Sequence, residues 1–76
     1  MTTIPDIGQT VRDARKSMGL RQEALAAAAG VGLRFLVELE RGKPSVRLDK
    51  MLAVLDALGL ELEVKPRGEA VRPLEP

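Results

Sequence analysis

Arg34, Glu38 and Arg41 recur at intervals of four and three along the stretch Leu33 to Arg41. In a helix that spacing puts them on one face, with Leu33 and Val37 beside them and Leu36 and Leu39 opposite. Near the start of such a helix, the Arg34 guanidinium can donate a bidentate pair to O6 and N7 of guanine in a major groove. Glu38 only accepts, and the amino group of cytosine is a donor of the right kind. Leu33 can touch a thymine methyl, so Leu33, Arg34, Val37 and Glu38 are the candidates for base contact. Each has a plainer use. Glu38 can close an i, i+4 ion pair with Arg34, and Leu33 and Val37 can meet an apolar protein partner. Phe35, the one aromatic residue, stands one position from the core face, where it packs in a core or interface or reaches the groove.

A second group suits phosphate. Gln22 stands at the start of a helical stretch, where its amide and the free backbone N–H groups fit a phosphate oxygen, or where it is simply a solvated first residue. Arg21 lies next to it. Arg41 and Lys43 flank Gly42 just past the stretch that holds Arg34, where phosphates should pass; basic residues also suit a helix C-terminus. The two uses are compatible. Other chemistries lack their residues. The chain has no cysteine and no histidine, so disulfides, thiolate ligands, cysteine nucleophiles and the usual general base are all missing. Ser17 and Ser45 read as a helix-end residue and a helix cap rather than nucleophiles. No enzymatic activity, metal or cofactor is expected. A single aromatic also argues against single-strand binding, which relies on stacking platforms.

Four helical stretches must position these groups. Ile4, Ile7, Val11, Ala14 and Met18 mark one face of a first helix, which Gly19 ends. A second, alanine-rich, runs from about Arg21 to Ala29 and stops at Gly30. After Val31 and Gly32 a third covers Leu33 to Arg41, closed by Gly42 and Pro44. With Ser45 as N-cap, a fourth extends to about Leu58, its apolar side made of Leu48, Met51, Leu52, Leu55 and Leu58. Leu25, Ala29, Val31, Leu36 and Leu39 point to a shared core, and Ala26 is small where two helices must cross. That is the layout of a helix-turn-helix, whose second helix lies in the major groove.

From Leu60 to Lys65 the pattern changes to strict alternation, the mark of a half-buried strand. No other strand in the chain can pair with it. The economical partner is the same strand of a second copy about a two-fold axis, through Leu60, Leu62 and Val64; the alternative is a frayed end with accidental alternation. Residues 66–76 hold three prolines, one glycine and alternating charge, and read as a flexible tail. The expected division is therefore a domain over 4–65 followed by that tail.

With 76 residues there is room for one small domain, and oligomerisation is a natural stabiliser at this size. Net charge is +1, unevenly spread. Arg12 to Lys50 carries nine basic residues against five acidic, and the remainder three against six. A basic segment beside an acidic one suits a polyanion on one side and something else on the other, although a mixed solvated surface would look similar. No signal peptide or membrane span is apparent, and cytoplasm is the expected location.

The run Gly19-Leu20-Arg21-Gln22-Glu23-Ala24-Leu25-Ala26, then Gly30-Val31, then Leu39-Glu40-Arg41-Gly42-Lys43-Pro44, resembles the phage-repressor-like (Cro/C1, or XRE) helix-turn-helix family. The resemblance covers roughly Ile7 to Leu58. The strand after the fourth helix looks like that of the HipB-type antitoxins in particular. Two features depart from the wider family. Arg21 replaces the common threonine or serine cap of helix two, and Leu33, Phe35 and Val37 make the recognition helix unusually apolar. The resemblance implies a mostly α, lambda-repressor-like domain of four to five helices, with one C-terminal strand paired across a homodimer. It also implies a partly buried ion pair between Arg15 on the first helix and Glu40 before the Arg-Gly step.

On this footing the expected function is a DNA-binding antitoxin of a HipBA-like type II toxin–antitoxin system. It would bind a palindromic operator in double-stranded DNA, repress its own operon and hold a HipA-like kinase toxin inactive. A free-standing repressor without a toxin, and an interaction module that no longer reads DNA, are the alternatives.

Overall fold

A computed structural model describes residues 3–64 and residue 66. Four helices follow one another: α1 (Ile4–Ser17), α2 (Gln22–Ala29), α3 (Leu33–Glu40) and α4 (Leu48–Ala57). Helix α1 packs on α3, and α2 packs on both α3 and α4. Their apolar faces meet in a core of Val11, Leu25, Leu36, Leu39 and Val54, each sealed from solvent, with Ala26, Met51, Leu55 and Leu58 around them. Ile7, Ala14, Ala29, Val31, Phe35, Val46 and Leu60 pack against this cluster from the outside. The architecture is the mostly α helix-turn-helix fold read from the sequence.

The helix ends have local causes. At the start of α1, Thr3 forms a capping box: its hydroxyl accepts from the Asp6 amide at 3.2 Å, and the Asp6 carboxylate accepts from the Thr3 amide at 3.1 Å. Proline in the first turn has no N–H to leave unsatisfied there. Helix α2 ends on Gly30 at φ 70°, a left-handed conformation that costs a residue without Cβ nothing. The Val31 N–H then donates to the Ala26 carbonyl at 3.0 Å, which closes the last turn and throws the chain back into α3. The other three helices close in the same way, on Gly19, Gly42 and Gly59.

The crossing of α1 and α3 depends on a different glycine. Gly8 is buried inside α1, and a Cβ there would run into the backbone carbonyl oxygens of Leu39 and Glu40. The two backbones approach so closely that no side chain fits between them. This contact sets how closely α1 and the end of α3 can approach.

Several expectations need correction. Ser45 is not the cap of α4, which begins at Leu48 with Arg47 in the N-cap position and no side-chain cap. Val46 packs against the core, so the chain after Pro44 runs three residues without helix before α4 starts. In the first turn Arg47 donates to Asp49 through Nε at 3.1 Å and Nη2 at 2.6 Å, and these bonds hold the Asp49 carboxyl below its usual range. On α4, Val54 joins the core while Leu48 and Leu52 are exposed. Met18 is also exposed, because α1 ends at Ser17 and the chain turns away through Gly19.

Residues 60–64 form no strand within the single chain. Leu60 is anchored by its N–H to the Leu55 carbonyl at 2.8 Å, and beyond it the residues are exposed, Val64 at 91%. A strand exists by its ladder, and no second extended segment among the described residues offers one. Lys65 and all of the expected tail except Pro66 lie outside the described residues.

Candidate nucleic-acid interface

Helix α3 separates its chemistry by face. Leu36 and Leu39 are completely buried, while Leu33, Arg34 and Arg41 are exposed and Val37 and Glu38 partly so. The Arg34 side chain is 92% exposed. Its Nε stands 3.8 Å from Glu38 Oε2, and Lys43 Nζ donates to Glu38 Oε1 at 3.4 Å. The carboxylate therefore sits between two cations, one in the first turn of α3 and one beyond its end. Phe35 turns away from this face; it packs against the core with Lys50 Nζ 5.7 Å from its ring centroid, within cation–π range.

Behind the exposed face a buried network holds α3 in place. Arg15 Nε donates to Glu40 Oε2 at 2.7 Å and Nη2 to Glu40 Oε1 at 3.0 Å, a bidentate pair. Arg15 Nη1 donates to the Leu20 carbonyl at 2.8 Å, in the connection between α1 and α2. The two side chains retain only 10% and 4% exposure. Hydrogen bonding to Glu40 raises the Arg15 guanidinium above its ordinary value, against the opposing effect of burial. Gln22 Nε2 adds a third donor to Glu40 Oε1 at 3.1 Å. No buried side-chain nitrogen or oxygen among the described residues lacks a partner. The Glu40 carboxylate thus ties the end of α3 to α1 and to the first residue of α2, and Arg15 extends the network to the turn before α2.

This geometry bears on Gln22, whose amide is shared with Glu40 and only partly open. Arg21 is exposed at the N-cap of α2 with no side-chain cap bond, so the first amides of that helix are not spent on it. A polar cleft of about 300 Å³ opens next to Gln22, lined by Arg12, Arg15, Gln22, Val37, Glu40 and Arg41. Arg15 and Glu40 neutralise each other in its floor, so its free charge is the positive charge of Arg12 and Arg41. In the sequence Arg12 counts toward the basic segment but not among the candidate DNA contacts. It lies on α1, far in sequence from Arg41, and nothing local marks it; the packing of α1 against α3 brings the two together.

The arrangement offers a protruding face with a rigid donor fork, an acceptor and apolar contacts, and a cationic margin at Arg12, Arg41 and Lys43. That combination can read base edges and seat phosphates. A separate apolar groove of about 180 Å³ lies between Ile7, Thr10, Leu55, Leu60, Glu61 and Leu62, so two of the three residues expected to join a second copy line one depression.

Comparison with known proteins agrees with this geometry. Residues 11–65 match the sequence model of the helix-turn-helix family. Over 67 residues, 88% of each chain, the sequence is 51% identical to y4mF of Sinorhizobium fredii (strain NBRC 101917 / NGR234), described as an uncharacterized HTH-type transcriptional regulator.

Proposed function

The chain belongs to the helix-turn-helix family of phage-repressor (XRE) type, and from that premise we propose that it is a transcriptional regulator that binds a palindromic operator in double-stranded DNA as a homodimer. The observation that carries this reading is the exposed face of α3, with Arg34 free in its first turn, set in a rigid mount by the Arg15–Glu40 pair. The relative y4mF, described as a transcriptional regulator, supports the same reading.

In this reading Arg34 reads guanine, Leu33 and Val37 touch thymine methyls, and Glu38 takes an amino group. Arg21, Gln22, Arg41 and Lys43 meet phosphates, and Arg12 joins them across the cleft. A second copy docks through Leu60, Leu62 and Val64, whose alternation has no partner strand among the described residues. Half-sites then lie about one helical turn apart, or a small multiple of that. Residues 4–65 act as the DNA-binding and dimerising unit, with 66–76 as a tail, in the cytoplasm.

The resemblance of the C-terminal segment to the HipB-type antitoxins refines the proposal. The operon repressed is the chain's own, and the second partner is a kinase-like toxin that it holds inactive. Footprinting on the chain's own upstream region, with and without the product of the neighbouring gene, tests both levels. A symmetric footprint that the neighbour's product tightens or extends is the expected result. A footprint indifferent to that product leaves a free-standing repressor, and no protection at low salt overturns DNA reading altogether.

A further inference from the structure

We propose that Glu38 is a discriminator that weakens binding to every duplex except one presenting an amino group to it. The inference rests on the duplex-binding reading above and concerns how that face refuses wrong sequences. Glu38 Oε1 accepts from Lys43 Nζ at 3.4 Å and Oε2 lies 3.8 Å from Arg34 Nε, with the Glu38 side chain 33% exposed. One negative charge therefore travels with the two cations that lead and follow α3 into a groove.

Cations alone attract phosphate regardless of sequence. A carboxylate between them does the reverse. As the face meets a duplex, water leaves and repulsion from the phosphates grows, and Arg34 or Lys43 can turn to the nucleic acid only by giving up Glu38. The carboxylate is then an acceptor stripped of its partners, which is costly. Among the base edges in the major groove, only the amino groups of cytosine and adenine donate. A site with such a group at the right position restores a hydrogen bond, and one without it leaves the charge unmet. Arg34 is suited to the exchange because its link to Glu38 is long and the side chain is open to solvent.

The test uses the full chain. A preferred duplex is selected from a random-sequence library. Its affinity, and that of an unrelated duplex of equal length, are measured over a salt series for wild type and Glu38→Gln. The amide keeps the shape and removes the charge. Glu38→Gln is expected to bind the unrelated duplex about threefold to tenfold tighter, with a salt slope steeper by about one, as phosphates gain a cation formerly held back. Its preference for the selected duplex should fall about tenfold. Unchanged affinity and slope on the unrelated duplex would overturn the proposal and leave Glu38 a surface ion pair. Equal weakening on both duplexes would also overturn it and make Glu38 a support for the helix. Should Glu38→Gln melt below the assay temperature, Glu38→Ala, with the better helix former, carries the same expectation for the unrelated duplex. A wild-type chain that retains no duplex at low salt would instead remove the DNA reading and this inference with it.

Discussion

Glu40 accepts three side-chain hydrogen bonds from residues on two other helices, at 2.7, 3.0 and 3.1 Å. Removing Arg15 leaves an almost entirely buried carboxylate without its counter-charge. Arg15→Met should therefore destabilise the chain by about 3–5 kcal/mol, a large fraction of what a domain of this size possesses. Adding Glu40→Leu should recover much of that loss, because the orphaned charge is gone. Urea unfolding of the single and double variants measures the coupling, and additive effects would show that the pair does not act as a unit. Arg12 is tested by salt rather than by stability. Arg12→Ala should weaken all duplexes alike and make the salt slope shallower by about one, whereas Arg34→Ala should relax preference at one base position. At this scale sequence and structure divide clearly. The exposed set on α3 follows from helical spacing, and the Arg15–Glu40 pair is implied by the family resemblance. The Gln22 bond to Glu40 and the place of Arg12 depend on packing between segments far apart in the chain, and no spacing rule encodes them.

The elements were legible wherever a glycine or an apolar period marked them. Gly19, Gly30, Gly42 and Gly59 each end a helix at positive φ, and the cores of α1, α2 and α3 follow from their patterns. The start of α4 was not legible. Ser45 followed by an apolar period has the form of a cap, but Val46 is drawn to the core and delays the helix to Leu48. The difference is measurable. Ser45→Ala should change stability by less than about 0.5 kcal/mol, as for an exposed residue away from any cap. Thr3→Ala removes one half of a real capping box and should cost about 1 kcal/mol. Thermal melts of the two variants rank them, and a larger loss for Ser45→Ala would contradict the placement of the α4 start.

For the whole molecule, the proposed dimer turns on the surface beyond α4. The alternating segment supplies Leu60 and Leu62 to an apolar groove and leaves Val64 almost fully exposed. Leu62→Glu should shift the chain to a monomer in sedimentation, and weaken operator binding steeply because two half-sites are no longer held at a fixed spacing. Operator affinity equal to wild type in a demonstrated monomer would sink the dimer proposal. The alternation is legible in the sequence, whereas the proposed ladder with a second copy is no property of one chain's fold. The crossing at Gly8 has a consequence of another kind. If a fully randomised library of this gene is passed through a selection for function, codon 8 should come back as glycine alone, since even one added methyl meets the carbonyl oxygens of Leu39 and Glu40. Codon 32 should come back varied and enriched in serine, asparagine and aspartate: Gly32 has an ordinary φ of −70°, open space around it, and the position that begins α3. Two glycines indistinguishable on paper would thus leave opposite signatures among the survivors.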